Sequence, residues 1–146
     1  MTSKQIESHR QGAEIYNETD VCRKKVDEVL DKFHIPKGLM PLANLVELGY
    51  NKTTGFIWLK QGKTTKFMFK ELGATSYGPE ITAFIGDREL KSLTGVKSKE
   101  MMIWVTLAYI SVDDSESPGK ITFSTTMGLS KTYPITAIED DPKEMK

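Results

Sequence analysis

A chain of 146 residues with 38% hydrophobic and 27% charged residues has the size and composition of one globular domain, and neither a disordered nor a fibrous class fits it. Twenty basic side chains balance twenty acidic ones, so the formal net charge is zero and no nucleic-acid partner is expected from bulk attraction, although a local patch can still hold an anion. Cys22 is the single cysteine, which excludes an internal disulfide.

The N-terminus opens Met1-Thr2-Ser3-Lys4-Gln5 and stays polar to Gln11, with no apolar stretch of the kind a signal peptide needs. No later run reaches membrane-spanning length. The longest, residues 101–109, is short and interrupted by Thr106. These features lead to the expectation of a cytoplasmic protein without a transmembrane segment, with peripheral membrane contact left open. Asn17-Glu18-Thr19 and Asn51-Lys52-Thr53 match a glycosylation sequon and are read as chance.

Residues 3–16 offer a weak helical stripe of Ile6, Ala13 and Tyr16, interrupted by Gly12. Residues 20–33 give the clearest helix, with Cys22, Val26, Val29 and Phe33 at helical spacing and Leu30 widening the stripe. Thr19 or Asp20 is placed to cap its start, and Arg23, Lys24, Asp27, Glu28 and Asp31 form the polar face. Pro36, Gly38 and Pro41 then enforce a stiff connection. Beyond it the pattern is strand and turn. Residues 45–50 and 56–60 flank a turn at 51–55, which predicts a hairpin, and further strands are predicted at 65–70, 80–85, 100–112, 120–125 and 132–138. The fold class expected is therefore mainly β, an antiparallel barrel-like sandwich with an N-terminal α-helix packed on it. The expected organisation is a partly helical or flexible segment over residues 1–19, one domain over 20–138, and an acidic flexible tail over 139–146.

Charge is unevenly placed. Between Lys52 and Lys99 nine basic residues face four acidic ones, whereas beyond Ser111 seven acidic residues outnumber four lysines. Lys91, Lys97 and Lys99 fall in the basic part, the last two within Thr94-Gly95-Val96-Lys97-Ser98-Lys99, read as a loop leading into the long strand. Two readings stay open for them: solvated lysines that deter edge-to-edge pairing, or contacts for an anionic headgroup.

Catalytic chemistry finds little support. A nucleophilic hydrolase needs a base beside a serine or cysteine, and the two histidines, His9 and His34, lie outside any such motif. Cys22 sits on the apolar stripe and reads as a buried thiol. Asp113-Asp114 and Glu139-Asp140-Asp141 lack the remainder of a calcium loop, and phosphate-binding glycine patterns do not occur. Trp58, Phe67, Phe69, Tyr77, Phe84 and Trp104 read as core aromatics, not as a base-stacking platform. No catalytic residue, metal or cofactor is expected.

Five segments in order carry a resemblance: Pro36-Lys37-Gly38-Leu39-Met40-Pro41-Leu42, Gly55-Phe56-Ile57-Trp58-Leu59-Lys60-Gln61, Leu93-Thr94-Gly95-Val96-Lys97-Ser98-Lys99, Ile103-Trp104-Val105 and Tyr133-Pro134-Ile135-Thr136-Ala137. The chain resembles the plant family of domain of unknown function 538 from about Ala13 to Ile138, and within it the subgroup named Smaller with Variable Branches. That resemblance implies a β-rich fold with an N-terminal helix and a link to trichome development and stress responses. It further implies either a non-enzymatic module that binds a lipid or another amphipathic ligand, or an ester hydrolase acting on chlorophyll or pectin-like esters. It carries no catalytic residues onto this chain. Many members have a signal peptide and a cysteine pair; the polar opening residues and the single Cys22 lead to the expectation of neither here.

Overall fold

The computed structural model describes residues 2–138 and 141–145. Glu139 and Asp140, the start of the expected acidic tail, lie outside the described residues, as do Met1 and Lys146. The described chain runs α1 (Thr2–His9), β1 (Glu14–Tyr16), α2 (Thr19–Lys32), β2 (Leu45–Asn51), β3 (Phe56–Gln61), β4 (Thr65–Phe69), β5 (Gly73–Gly86), β6 (Glu89–Glu100), β7 (Ile103–Asp113), β8 (Lys120–Thr125), β9 (Ser130–Pro134) and β10 (Lys143–Glu144). All strand pairs are antiparallel and belong to one sheet of order β1-β2-β3-β5-β6-β7-β8-β9. The mainly β expectation with one main helix therefore holds. The path ends at β1 and at β9 without closing, so the sheet is open and curved, and barrel-like describes it only loosely.

The apolar run Phe56-Ile57-Trp58-Leu59 in β3 has a clear cause. Both faces of this strand are covered, so alternation into polar positions is lost. Ile57 and Leu59 join the main core beneath α2, while Phe56 and Trp58 face Ile6 of α1. The stripe of α2 meets the main core through Cys22, Val26 and Leu30, which are buried, with Val29 and Phe33 half-buried beside them. Each fully buried side chain of this size contributes about 1.5–3 kcal/mol. Under α2 the packing leaves a void of only about 10 Å³, so the interior there has no room for a ligand.

The sheet forks along β5. Residues 73–77 pair with β4 and residues 80–84 pair with β3, while the other edge of β5 follows β6. Gly78 and Pro79 separate the two partners, and proline cannot donate to a ladder. The buried amide of Gln61 sits at this junction and donates to the Tyr77 carbonyl at 3.0 Å and the Gly78 carbonyl at 3.1 Å. Lys143 and Glu144 of β10 extend the β4 branch.

Several local expectations are corrected. The residues read as a loop carrying Lys97 and Lys99 belong to strand β6, because Gly95 makes a bulge and not a loop. Its φ is +84°, and a Cβ there would lie 2.2 Å from the Glu80 carbonyl oxygen, so only glycine fits. The strand expected over 100–112 begins at Ile103, and β5 is the longer strand. The early helix stops at His9, after which Glu14–Tyr16 pairs with β2. Neither Thr19 nor Asp20 caps α2: Glu18 holds that position, and the Thr19 hydroxyl donates instead to the Leu45 carbonyl at 3.0 Å. Arg23 is not merely solvated either. Its guanidinium donates to the carbonyls of Met40 and Leu42, at 2.6 and 2.7 Å, and so ties the proline-rich connection to the helix.

Candidate functional site

Three turns gather at one end of the sheet: residues 70–72 between β4 and β5, Met101 and Met102 between β6 and β7, and residues 126–129 between β8 and β9. Between them lies an apolar cavity of about 330 Å³. Leu72, Leu107 and Phe123 are its buried apolar residues, and Val105 and Tyr133 stand half-buried beside them. The Phe123 and Tyr133 rings meet edge to face with centroids 6.0 Å apart. Ile103, Leu129 and Met101 line the cavity from exposed positions, so they mark its mouth.

Polar groups at this site are few. Ser98 and Thr125 reach the lining, and Lys131 forms an ion pair with Glu100 across the mouth. The hydrogen bond to Glu100 raises the Lys131 ammonium above its ordinary value and keeps it charged. Directly across the ladder from Ser98 stands Thr75, whose buried hydroxyl has no hydrogen-bond partner among the described residues. A cavity of this size and lining matches the general form of small-molecule sites, which are apolar with a few placed polar groups. An apolar void of about 150 Å³ takes up one benzene ring, so this one accommodates an alkyl segment or a fused ring system.

The lysines singled out from the sequence take other positions. Ser98 and Glu100 face the cavity, and the alternation of β6 therefore turns Lys97 and Lys99 to the opposite face. There the Lys99 ammonium lies 5.6 Å from the Trp104 ring centre and the Lys66 ammonium lies 5.5 Å from it. Lys97 and Lys99 share one face of the strand. Lys91 lies near its other end, six residues from Lys97, a separation of roughly 20 Å, and pairs with Glu89. The three do not converge on one group.

Neither histidine faces a serine among its described hydrogen-bond partners. His34 Nδ1 lies 2.8 Å from Asp87 Oδ1 on an exposed turn, and His9 Nδ1 lies 3.1 Å from the Thr54 hydroxyl while its ring stacks on Phe56. Cys22 is wholly buried, its thiol 3.2 Å from the Tyr16 carbonyl oxygen, and burial pushes its ionisation upward. Among the described residues no group of three potential metal ligands occurs, and no helix is long and apolar enough to cross a membrane.

One network was not legible in the sequence. The Trp58 indole donates to Glu47 Oε1 at 2.8 Å, and Arg10 donates to the same oxygen at 3.0 Å while its guanidinium lies 5.5 Å from the Trp58 ring centre. Burial works to raise the Glu47 carboxyl, but the hydrogen bonds from Trp58 and Arg10 outweigh it and hold the group below the ordinary glutamate range.

Fold and site together define an open, curved antiparallel β-sheet protein with an apolar cavity that opens between hairpin turns. The family described as "Protein of unknown function, DUF538" matches residues 26–139, most of the chain, and the protein belongs to that family. No curated protein and no solved structure matches the chain.

Proposed function

We propose that this protein is a non-enzymatic binding module for an amphipathic small molecule of lipid type, with the apolar part in the cavity between β6–β7 and β8–β9 and the polar end at Lys131 on its mouth. The observation that carries this reading is the cavity itself: about 330 Å³ lined mainly by apolar side chains, with one ion pair at the opening. Each methylene group taken out of water there contributes about 0.8 kcal/mol, so about ten of them supply roughly 8 kcal/mol, from which the cost of immobilisation is subtracted. An acidic headgroup replaces Glu100 as the partner of Lys131. Residues 20–138 form the working domain in this proposal. Membership of the Smaller with Variable Branches subgroup, with its link to development and stress, belongs to the same proposal and rests on the five segments named above.

The test is displacement of a fluorescent fatty-acid probe from the purified protein. Val105→Trp, which fills the cavity, is expected to weaken probe binding by about tenfold or more while the circular dichroism spectrum stays unchanged. Lys131→Gln is expected to weaken carboxylate probes more than alcohols of the same chain length. Equal probe binding by wild type and Val105→Trp refutes the proposal.

A further inference from the structure

The turn joining β6 to β7 is built from residues that the backbone disfavours. Glu100 pairs with Ile103, so Met101 and Met102 alone make the reversal, and both carry positive φ, 49° and 72°. A two-residue turn of this hand calls for Asn-Gly or a similar pair, because side chains with a Cβ are strained there. Two methionines are the opposite of that choice. They are also nearly fully exposed, Met101 at 92% and Met102 at 83%. On the neighbouring hairpin Met127 is 82% exposed, and Ile103 and Leu129 add further exposed apolar surface at the same end of the sheet. Apolar side chains exposed on two adjacent tips, and held in strained positions on one of them, answer to something outside the fold.

From these tips we infer a membrane-docking surface: the Met101–Met102 and Met127 turns insert into the apolar layer of an anionic bilayer. Charge selects this occupant. Lys97 and Lys99 lie on the same hairpin, behind the methionines, and Lys66 flanks Trp104 beside Lys99. Glu100 is paired with Lys131. Insertion of the tips brings these lysines to the level of negatively charged headgroups, where each adds attraction. A second copy of the chain, packed tip to tip about a twofold axis, instead brings one set of lysines toward the other. Methionine suits the task, since its unbranched thioether adapts to a disordered surface. The cavity mouth lies between the two tips, so a docked molecule opens its cavity toward the hydrocarbon. The inference stands on the exposed turns, and so is independent of whether the cavity binds a free ligand.

Vesicle flotation of the whole chain tests it, with phosphatidylcholine vesicles prepared with and without phosphatidylserine. The wild type is expected to float with the anionic vesicles and to be released by added salt. Met101→Asn combined with Met102→Gly gives the turn its favoured residues, so the variant folds at least as stably by thermal melting. Its partitioning is expected to fall about tenfold or more, as expected for two methionines withdrawn from an apolar layer. Lys97→Glu with Lys99→Glu is expected to lose the preference for phosphatidylserine. Val105→Trp fills the cavity without touching the tips and is expected to keep vesicle binding, which separates failure of the cavity proposal from failure of this one. Absence of wild-type flotation, unchanged flotation of the Asn-Gly variant, or a concentration-dependent dimer that the Asn-Gly variant abolishes would each overturn the inference.

Discussion

Adding one methyl group at Gly49 drives it into an indole ring. Gly49 stands directly across the ladder from Trp58, and a Cβ there would lie 2.0 Å from Cζ2, 2.2 Å from Cε2 and 2.3 Å from Cη2 of that ring. Carbon atoms in contact keep about 3.5–4.0 Å, so the ring must retreat by roughly 1.5 Å. It has nowhere to go, being wholly buried against Phe56 and Ile6. Forcing extra volume into a packed core costs about 1–3 kcal/mol. The same retreat stretches the 2.8 Å hydrogen bond from the indole to Glu47 beyond reach, and a bond to a charged group is worth about 1.5–3 kcal/mol. Gly49→Ala is therefore expected to cost about 3–5 kcal/mol, a large part of the roughly 5–15 kcal/mol typical of a domain. Urea unfolding followed by far-ultraviolet circular dichroism measures it. In a Trp58→Leu background the same substitution is expected to cost under about 1 kcal/mol, because the obstacle is gone. A loss below about 1 kcal/mol in the wild type, or an equal loss in both backgrounds, refutes the reasoning.

The depressed Glu47 carboxyl makes stability depend on pH in a fixed direction. Its contribution is fully present above the ordinary glutamate value of about 4.3 and is lost as pH falls through the lower folded-state value. Glu47→Gln is accordingly expected to flatten the acid limb of a stability–pH curve recorded by urea titration, and an unchanged limb counts against the network. At the fork, Gln61→Leu strips two carbonyls of their donor. The expected loss is about 2–4 kcal/mol by thermal or urea unfolding, and a neutral result would mean that other donors replace the amide.

Much of the sheet could be read from residue patterns. The turn at 51–55 was legible because Asn51 is a strong turn former; its side-chain oxygen accepts from the Thr53 and Thr54 amides at 3.0 and 3.2 Å. The stripe Cys22, Val26 and Leu30 gave the docked face of α2 directly. The candidate site was much less accessible. Its lining comes from several separate strands and turns, and no spacing in the chain announces that Leu72, Leu107, Phe123 and Tyr133 meet. The Met101–Met102 turn escaped notice for a different reason. It contains neither glycine nor asparagine and is apolar, so it merges with the β-rich residues that follow it. Gly95 misled in the opposite sense, since a glycine required by a bulge looks the same in sequence as one required by a loop.

Strand order also fixes how the chain can assemble. From β2 to β9 each strand lies beside one that is near it in the chain, with only β4 stepping aside at the fork. Closing each successive loop then costs little entropy, and a β protein of this kind has mainly short-range pairings to find. The two longest strands, β5 and β6, are joined by a tight hairpin and give a natural starting point. Two pairings stand outside this sequence: β1 reaches β2 only across α2, and β10 must find β4 after most of the chain has been made. The β4 edge therefore stays uncovered until β10 has been made.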